Sequence, residues 1–261
     1  MYISMNLFKI MWGALRYEFL MQIRRPTLWL VFLGFALFFT NQSTLRDLTA
    51  ESLPPLQLAA LLALLTNWLA PLGVGIFLSD RLSRDQRTKV DELLNTLPST
   101  LHLRVLSKYL GATLATLTPA FLLYLLILGL AVWQTGNFLL IPLGLFCYVV
   151  IVLPGMFCVA AFSIACPAVI WVPLYQFFFF GYWYWGNLLS PSFGLPTLNG
   201  TVLTPIGSMI GMSFFGIPSY RGVVGPYPAI NGVVSILALL GLAVLVLVAL
   251  SQFLRWRQAL M

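Results

Sequence analysis

The sequence predicts an all-α integral membrane protein with an N-terminal interfacial amphipathic helix, six transmembrane helices and a re-entrant segment before the last span. Residues 109–220 include no Asp, Glu, Lys or Arg. A soluble domain containing such a stretch would expose an apolar surface and aggregate, whereas a charge at the centre of a spanning helix costs about 2.5–3.5 kcal/mol. The whole chain agrees, since 60% of its residues are hydrophobic and 8% are charged.

Helices are favoured over a transmembrane β-barrel because the apolar runs are long and continuous. Barrel strands would instead alternate apolar and polar residues over short segments. One crossing needs about 20 residues, so the 261 residues accommodate about five to seven helices. Too little polar chain remains for a separate soluble domain, and we predict one transmembrane domain covering residues 1–261.

The first predicted element is an interfacial helix over residues 5–25. Basic, polar and small residues share one side of its helical wheel, and bulky apolar residues such as Trp12 and Phe19 cover most of the rest. Such a helix lies in the headgroup plane. The alternative, an extension of the first span, would bring four basic residues and Glu18 into hydrocarbon. Pro26 is expected to end the helix and to turn the chain into the membrane.

Six apolar runs follow and are assigned as spans. Their predicted bounds are 27–44, 57–78, 109–133, 138–161, 169–185 and 232–254. Prolines inside several of these runs are tolerated where neighbouring helices satisfy the freed backbone carbonyls.

The positions of the basic residues predict the orientation. With six spans, the N-terminal segment, the loop 80–108 and the C-terminal tail lie on the same side, and together they hold all of the 14 Lys and Arg residues except Arg46 and Arg221. By the positive-inside rule that side is the cytoplasm. Five or seven spans would divide the three basic segments between the two sides. We therefore expect a multi-pass protein of the cell inner (plasma) membrane with both termini cytoplasmic.

The apolar spans lack the residue types that catalysis or ion coupling needs. The only histidine, His102, falls in the cytoplasmic loop and suits a solvated or helix-capping role. The three cysteines lie in apolar runs, without metal-ligand spacing to His or carboxylates. No Walker-type loop is present, and no carboxylate lies in the core of a span. We predict no enzyme activity, no cofactor, no metal site and no nucleic-acid partner.

The loop 80–108 is the one charge-dense segment, and it contains a short amphipathic pattern. Aliphatic residues recur at i, i+3, i+4 and i+7, at Val90, Leu93, Leu94 and Leu97. This spacing predicts a helix that stops at Pro98. Its aliphatic face either packs on its own loop and the bilayer or enters a groove on a partner. Burying the four side chains would gain about 6–12 kcal/mol, against an association cost of about 4–15 kcal/mol.

Polar residues at the outer end of the first span and inside the second are candidate pathway residues. Thr40 and Asn41 begin a polar cluster, and Asn67 lies near the middle of its span. An unpaired amide or hydroxyl in hydrocarbon costs about 1–3 kcal/mol, so these groups should avoid lipid and face a pathway between subunits. Solvation at the membrane interface is the alternative for residues 40–44.

The segment 186–231, between the fifth and sixth spans, is expected to be an outer and re-entrant loop. It is rich in Pro and Gly, Arg221 is its only charge, and its apolar stretch 201–215 is too short to cross. Such a segment can dip into the membrane when protein shelters it. The aromatic residues before it suit either a lipid-like or drug-like cargo or an aromatic belt at the outer interface.

The arrangement of these elements resembles the type-2 class of ABC exporter permeases. The resemblance rests on an amphipathic helix before six spans and on the loop after the second span. That loop carries Thr88, an acidic residue, the Leu93-Leu94 pair and the sequence Leu97-Pro98-Ser99. The loop departs from the commonest form of the class at two places. That form begins with a Glu-rich stretch, where this chain has Asp80, and it has a Gly before the Thr, where this chain has Arg87.

The resemblance implies a coupling helix that docks on a separate nucleotide-binding ATPase subunit. The implied contact residues are Thr88, Val90, Asp91, Glu92, Leu93, Leu94 and Leu97. It further implies the transmembrane subunit of an ATP-driven exporter, which encloses the substrate pathway together with a second permease copy or a similar subunit. The alternative is a non-transporting scaffold or sensor subunit of a membrane complex.

Overall fold

The computed structural model describes residues 2–40, 43–50, 53–82, 84 and 100–259, and over these ranges the chain is mostly helical. In chain order the α-helices are α1 (Tyr2–Ile23), α2 (Pro26–Thr40), α3 (Ser43–Ala50), α4 (Pro55–Ser79), α5 (Leu101–Thr135), α6 (Leu140–Cys147), α7 (Leu153–Ala165), α8 (Val172–Tyr182), α9 (Ser208–Phe214) and α10 (Ala229–Ala259). Two short strands, β1 (Ser219–Tyr220) and β2 (Val223–Val224), form an antiparallel hairpin in which Ser219 pairs with Val224.

Within the described residues, four helical segments are long and apolar enough to cross a membrane: α4, α5, the continuous segment Leu140–Ala168 that contains α6 and α7, and α10. The segments Met11–Ile23 and Pro26–Thr40, bent by 60° at the break between them, would make a fifth. The all-α fold with apolar helices of membrane-spanning length is therefore confirmed. The count of six spans stays a prediction.

Pro26 breaks the helix where the sequence predicts. Helix α1 ends at Ile23, Arg24 and Arg25 lie outside regular helix, and α2 begins at Pro26, where proline needs no backbone N–H partner. Helix α2 ends at Thr40, before the predicted end of the first span at residue 44, and Ser43 already belongs to α3.

Helix α5 begins earlier than the predicted span 109–133. It starts at Leu101, and Thr100 precedes it with an extended backbone (φ −70°, ψ 146°). Helix α1 packs against α5 at Gly111 and is hydrogen-bonded to it at Thr116, both inside the predicted span. Helix α4, by contrast, begins and ends within two residues of the predicted span 57–78.

Helix α4 is the central helix of the bundle. Of the residues in its most apolar 18-residue stretch 67% are buried, against 22% in α10, which lies at the periphery. Helices α2, α5, α6, α7, α8 and α9 all contact α4.

Helix α8 runs alongside only one half of α4. Gln176 Nε2 donates to Ser79 Oγ at 2.9 Å, and Trp183 Nε1 donates to the Trp68 carbonyl oxygen at 2.9 Å. A π-helical turn, Trp183–Leu188, follows α8. The predicted fifth span 169–185 therefore forms a short helix that reaches from the end of α4 to its middle.

The segment 186–231 packs along the other half of α4. Asn67 Nδ2 donates to the Ile206 carbonyl oxygen at 2.9 Å, and Gln57 Nε2 donates to the Gly216 carbonyl oxygen at 3.0 Å. The contact with the bundle is close, because a Cβ at Gly155 of α7 would lie 1.8 Å from the Pro205 carbonyl oxygen. Helices shelter part of this segment, and its re-entrance into a bilayer stays a prediction.

Candidate functional site

The predicted coupling residues lie outside the described residues. This holds for Thr88, Val90, Asp91, Glu92, Leu93, Leu94 and Leu97, and also for the pathway candidate Asn41. Both flanks of the loop 80–108 are described, however, at Arg81 and Leu82 after α4 and at Thr100 before α5. The structure around these flanks therefore shows what the predicted coupling loop is attached to.

A buried polar cluster joins α1, the end of α4 and α5. The Arg81 guanidinium pairs with the Glu18 carboxylate, and their side chains are 1% and 8% exposed. Arg81 Nη1 also donates to Gln22 Oε1 at 3.2 Å, and Gln22 Nε2 donates to Thr116 Oγ1 at 3.2 Å. We call Glu18, Gln22, Arg81 and Thr116 the inner cluster.

Local sequence positions each member of the inner cluster. Glu18 and Gln22 are four residues apart on α1 and so share one helix face. Helix α1 reaches α5 because position 111 is glycine, where a Cβ would lie 2.5 Å from the Leu15 carbonyl oxygen and 2.8 Å from the Glu18 Cβ. Arg81 follows Asp80, the C-cap of α4, and so enters the cluster from the first turn of the loop.

The inner cluster has more basic than acidic groups around it. Burial lowers the pKa of the Arg25 guanidinium, and the positive charges of Arg81 and Arg84 lower that pKa further. The pairing with Glu18 is therefore what allows Arg81 to be buried, since an uncompensated buried charge costs several kcal/mol. The ion pair and the two hydrogen bonds fix the three helices relative to one another, while Arg81 Nε is buried without a hydrogen-bond partner among the described residues.

The inner cluster was not predicted from the sequence. Glu18 was considered only as a charge that an interfacial helix keeps out of hydrocarbon, and Arg81 only as one of the basic residues that set the orientation. The available signal was that Glu18 is the only acidic residue before Asp47. A lone carboxylate among basic and apolar residues indicates a partner, but only the fold identifies it as Arg81.

The structure places Asn67 inside the chain and Thr40 at its surface. Asn67 is fully buried, and besides Ile206 its Nδ2 donates to the Ile151 carbonyl oxygen at 3.4 Å. Ile151 belongs to the π-helical turn Tyr148–Val152, a geometry that frees backbone groups from regular pairing. Thr40 is exposed, and its Oγ1 donates to the Leu37 carbonyl oxygen at 3.0 Å. The pathway role of both residues stays a prediction, and Asn67 in addition joins α4 to the segment 186–231.

The histidine and the cysteines occupy unremarkable positions. His102 is partly buried in the first turn of α5. All three cysteines are free thiols, and Cys147 and Cys158 are buried, as expected for small apolar side chains. Among the described residues, no group of three or more His, Cys, Asp or Glu could hold a metal ion.

The function has to be argued from the chain's own residues. No protein-family model matches the chain, and no curated protein matches it either. The resemblance to type-2 ABC exporter permeases rests on the order of the elements and on the pattern in the loop 80–108.

Proposed function

We propose that this protein is the transmembrane subunit of an ATP-driven ABC exporter. It forms the substrate pathway with a second copy or a similar subunit, and separate nucleotide-binding subunits supply ATP hydrolysis. The observation that carries the proposal is the inner cluster, which links α1 to both helices that flank the loop 80–108.

The inner cluster suits an element that transmits force from a partner. The loop leaves α4 at Asp80 and enters α5 at Leu101, so a displacement of the loop acts on both helices. Because Arg81 is paired with α1 and α1 is hydrogen-bonded to α5, these elements should move as one body instead of flexing separately. Movement of packed helices of this kind is how binding events at one face of a protein are converted into opening or closing of a pathway.

The charge distribution supports an external energy source. No Asp or Glu follows Glu92, so α5, α6, α7, α8 and α10 provide no carboxylate for proton or sodium coupling. Some buried hydroxyls of these helices donate to backbone carbonyl oxygens, as Thr116 does to Ala112 at 2.8 Å and Ser235 does to Val202 at 2.8 Å. The acidic residues Asp91 and Glu92 lie in the loop, where they can pair with basic groups of a partner.

Exposed apolar faces are compatible with assembly with a second subunit in the bilayer. Large side chains project from α2 and α8, among them Leu30, Leu33, Phe177 and Phe178, each more than half exposed. Lipid and a neighbouring transmembrane subunit are both suitable surroundings for these faces, because helix packing in membranes is not driven by the hydrophobic effect.

The test is capture of the ATPase subunit on the loop. The double variant Leu93→Ala/Leu94→Ala removes two aliphatic contacts that would be worth about 2–5 kcal/mol each if fully buried. We expect the tagged wild-type chain to retain an ATPase from native membranes, and the double variant to lose most of it while keeping its elution profile. Val244→Ala/Leu245→Ala, which truncates two exposed residues of α10, is the matched control.

Three outcomes decide the proposal. Loss of the ATPase in the loop variant alone supports it. Full retention of ATPase and transport by the loop variant contradicts the coupling role. Capture of a partner without nucleotide-binding activity supports the scaffold or sensor function instead.

A further inference from the structure

A cavity of about 410 Å³ lies between the middle of α4 and the end of α8. Its walls combine aromatic rings and aliphatic side chains with a single cation, and they include Trp68, Tyr184, Trp185, Leu188, Leu189 and Arg221. We call this the outer cavity. Its volume falls within the range of small-molecule sites, which measure about 300–1,000 Å³.

The cation of the outer cavity lies deep along the bundle. The Arg221 guanidinium carbon is 5.0 Å from the centroid of the Trp68 ring and 5.7 Å from that of Tyr220. Trp68 lies midway along the 25-residue α4, about 20 Å from Pro55 at 1.5 Å per residue. Arg221 was expected in an outer loop, yet its charge lies level with the middle of a helix that is long enough to cross a membrane. Charges at such positions are costly and mark ligand or ion sites.

The backbone around Arg221 is held in place by its neighbours. Arg221 lies in the turn between β1 and β2 with φ +48°, a left-handed conformation that is uncommon for a long side chain. Asn199 Nδ2 donates to the Arg221 carbonyl oxygen at 3.2 Å. At the next residue a Cβ on Gly222 would lie 2.1 Å from Ser190 Oγ, so the turn is pressed against the 190 segment. Conformations of this kind persist where packing enforces them, and they cluster at functional sites.

The charge of Arg221 in the outer cavity has no anionic partner among the described residues. No carboxylate of these residues lies within 4.0 Å of Arg221. Burial raises the pKa of the neighbouring Tyr220 hydroxyl despite the opposing charge of Arg221, so Tyr220 adds no negative charge. A guanidinium is positively charged, donates hydrogen bonds and cannot accept them, so Arg221 calls for an anionic acceptor.

We propose that the outer cavity binds the anionic headgroup of an amphiphile, a carboxylate or a phosphate, whose apolar portion lies against Trp68, Tyr184 and Leu188. Arg221 contacts the headgroup, and the aromatic rings contact the first carbons of the tail. The ligand is either an acidic lipid of the bilayer or a free acidic amphiphile. Binding is a property of this chain alone and does not rest on the export function.

The test measures binding to the purified full-length chain in a neutral detergent. The probes are two pairs with matched tails: short-chain phosphatidylglycerol against phosphatidylcholine, and decanoate against decanol. Loss of one charge-assisted hydrogen-bonded contact corresponds to about 10- to 100-fold in affinity. We therefore expect a preference of at least about tenfold for an anionic probe in the wild-type chain, and its loss in Arg221→Gln.

Three further variants separate binding from folding. Arg46→Gln removes an exposed arginine of α3 and should leave the preference unchanged. Arg221→Lys keeps the charge and should retain part of the preference. Trp68→Phe keeps an aromatic ring against the cavity and removes only a buried N–H, so it should leave the preference for the anionic probe unchanged. Preference for phosphatidylglycerol alone identifies a lipid site, and preference for decanoate alone identifies a site for a free amphiphile. Equal binding within both pairs by the wild-type chain, or an undiminished preference in Arg221→Gln, overturns the proposal.

Discussion

An arginine packs against the helix bundle in both the inner cluster and the outer cavity, but the groups that surround its charge differ. Arg81 is 1% exposed and its charge is met by Glu18 and Gln22. Arg221 is exposed and is met by the faces of Trp68 and Tyr220, with no carboxylate of the described residues near it. One charge is enclosed and compensated, and the other faces an open space.

This difference separates a structural charge from a binding charge. A compensated buried pair contributes little net stability, but removing one partner is strongly destabilising, so the inner cluster holds helices in a fixed arrangement. An arginine that lines a cavity without a carboxylate can be lost at small cost to the fold and remains available to an anion. Arg81 therefore stabilises the helix packing at one end of α4, whereas Arg221 is available to bind a ligand near the middle of that helix.

The largest effect is expected at the inner cluster, in Glu18→Gln. The variant leaves the Arg81 charge buried without compensation, which should lower the free energy of unfolding by about 3–5 kcal/mol. Denaturant or thermal unfolding in detergent measures it. In the double variant Glu18→Gln/Arg81→Met no buried charge remains, and much of the loss should be recovered. A single variant as stable as the wild-type chain would show that Arg81 is solvated.

An intermediate effect is expected where α1 meets α5, in Gly111→Ala. The added methyl group would lie 2.5 Å from the Leu15 carbonyl oxygen, and such overpacking costs about 1–3 kcal/mol. Gly129→Ala is the matched control, because position 129 lies on the same helix with nothing within 4 Å of an added Cβ. That control should be neutral or stabilising by about 0.5–1 kcal/mol. Equal unfolding free energies for the two variants would contradict the close approach of α1 to α5.

The smallest effect on stability is expected at the outer cavity, in Arg221→Gln. An exposed cation–π contact contributes about 0.5–1 kcal/mol, so the unfolding free energy should fall by no more than that. The same preparation of this variant serves for the amphiphile binding measurement. A loss as large as that of Glu18→Gln would place Arg221 among the structural charges and would remove the contrast between the two regions.

The sequence predicts the helices well where the signal is local. The uncharged run 109–220 establishes the membrane class, Pro26 marks the break between α1 and α2, and the bounds of α4 agree within two residues. Each of these features depends on residues close together in the chain: the length of an apolar run, or the missing N–H of proline.

The segment 186–231 and the fifth predicted span were harder to predict. Apolar composition alone does not show that α8 stops beside the middle of α4, because the carbonyl oxygen that meets Trp183 Nε1 belongs to Trp68, on a distant part of the chain. The short helix α9 is positioned by its contacts with α4, α10 and the π-helical turn Tyr148–Val152, and not by a hydrophobic periodicity of its own sequence.

The sequence by itself determined the class of this protein, its apolar helices and the charge-dense loop 80–108. Only the tertiary structure decided that Glu18 meets Arg81 and that Arg221 lies over Trp68. The physical reason is that the tendency of a segment to enter lipid depends on the composition of that segment alone. The pairing of polar groups depends on how the helices pack, and packing brings together residues that are far apart in the chain.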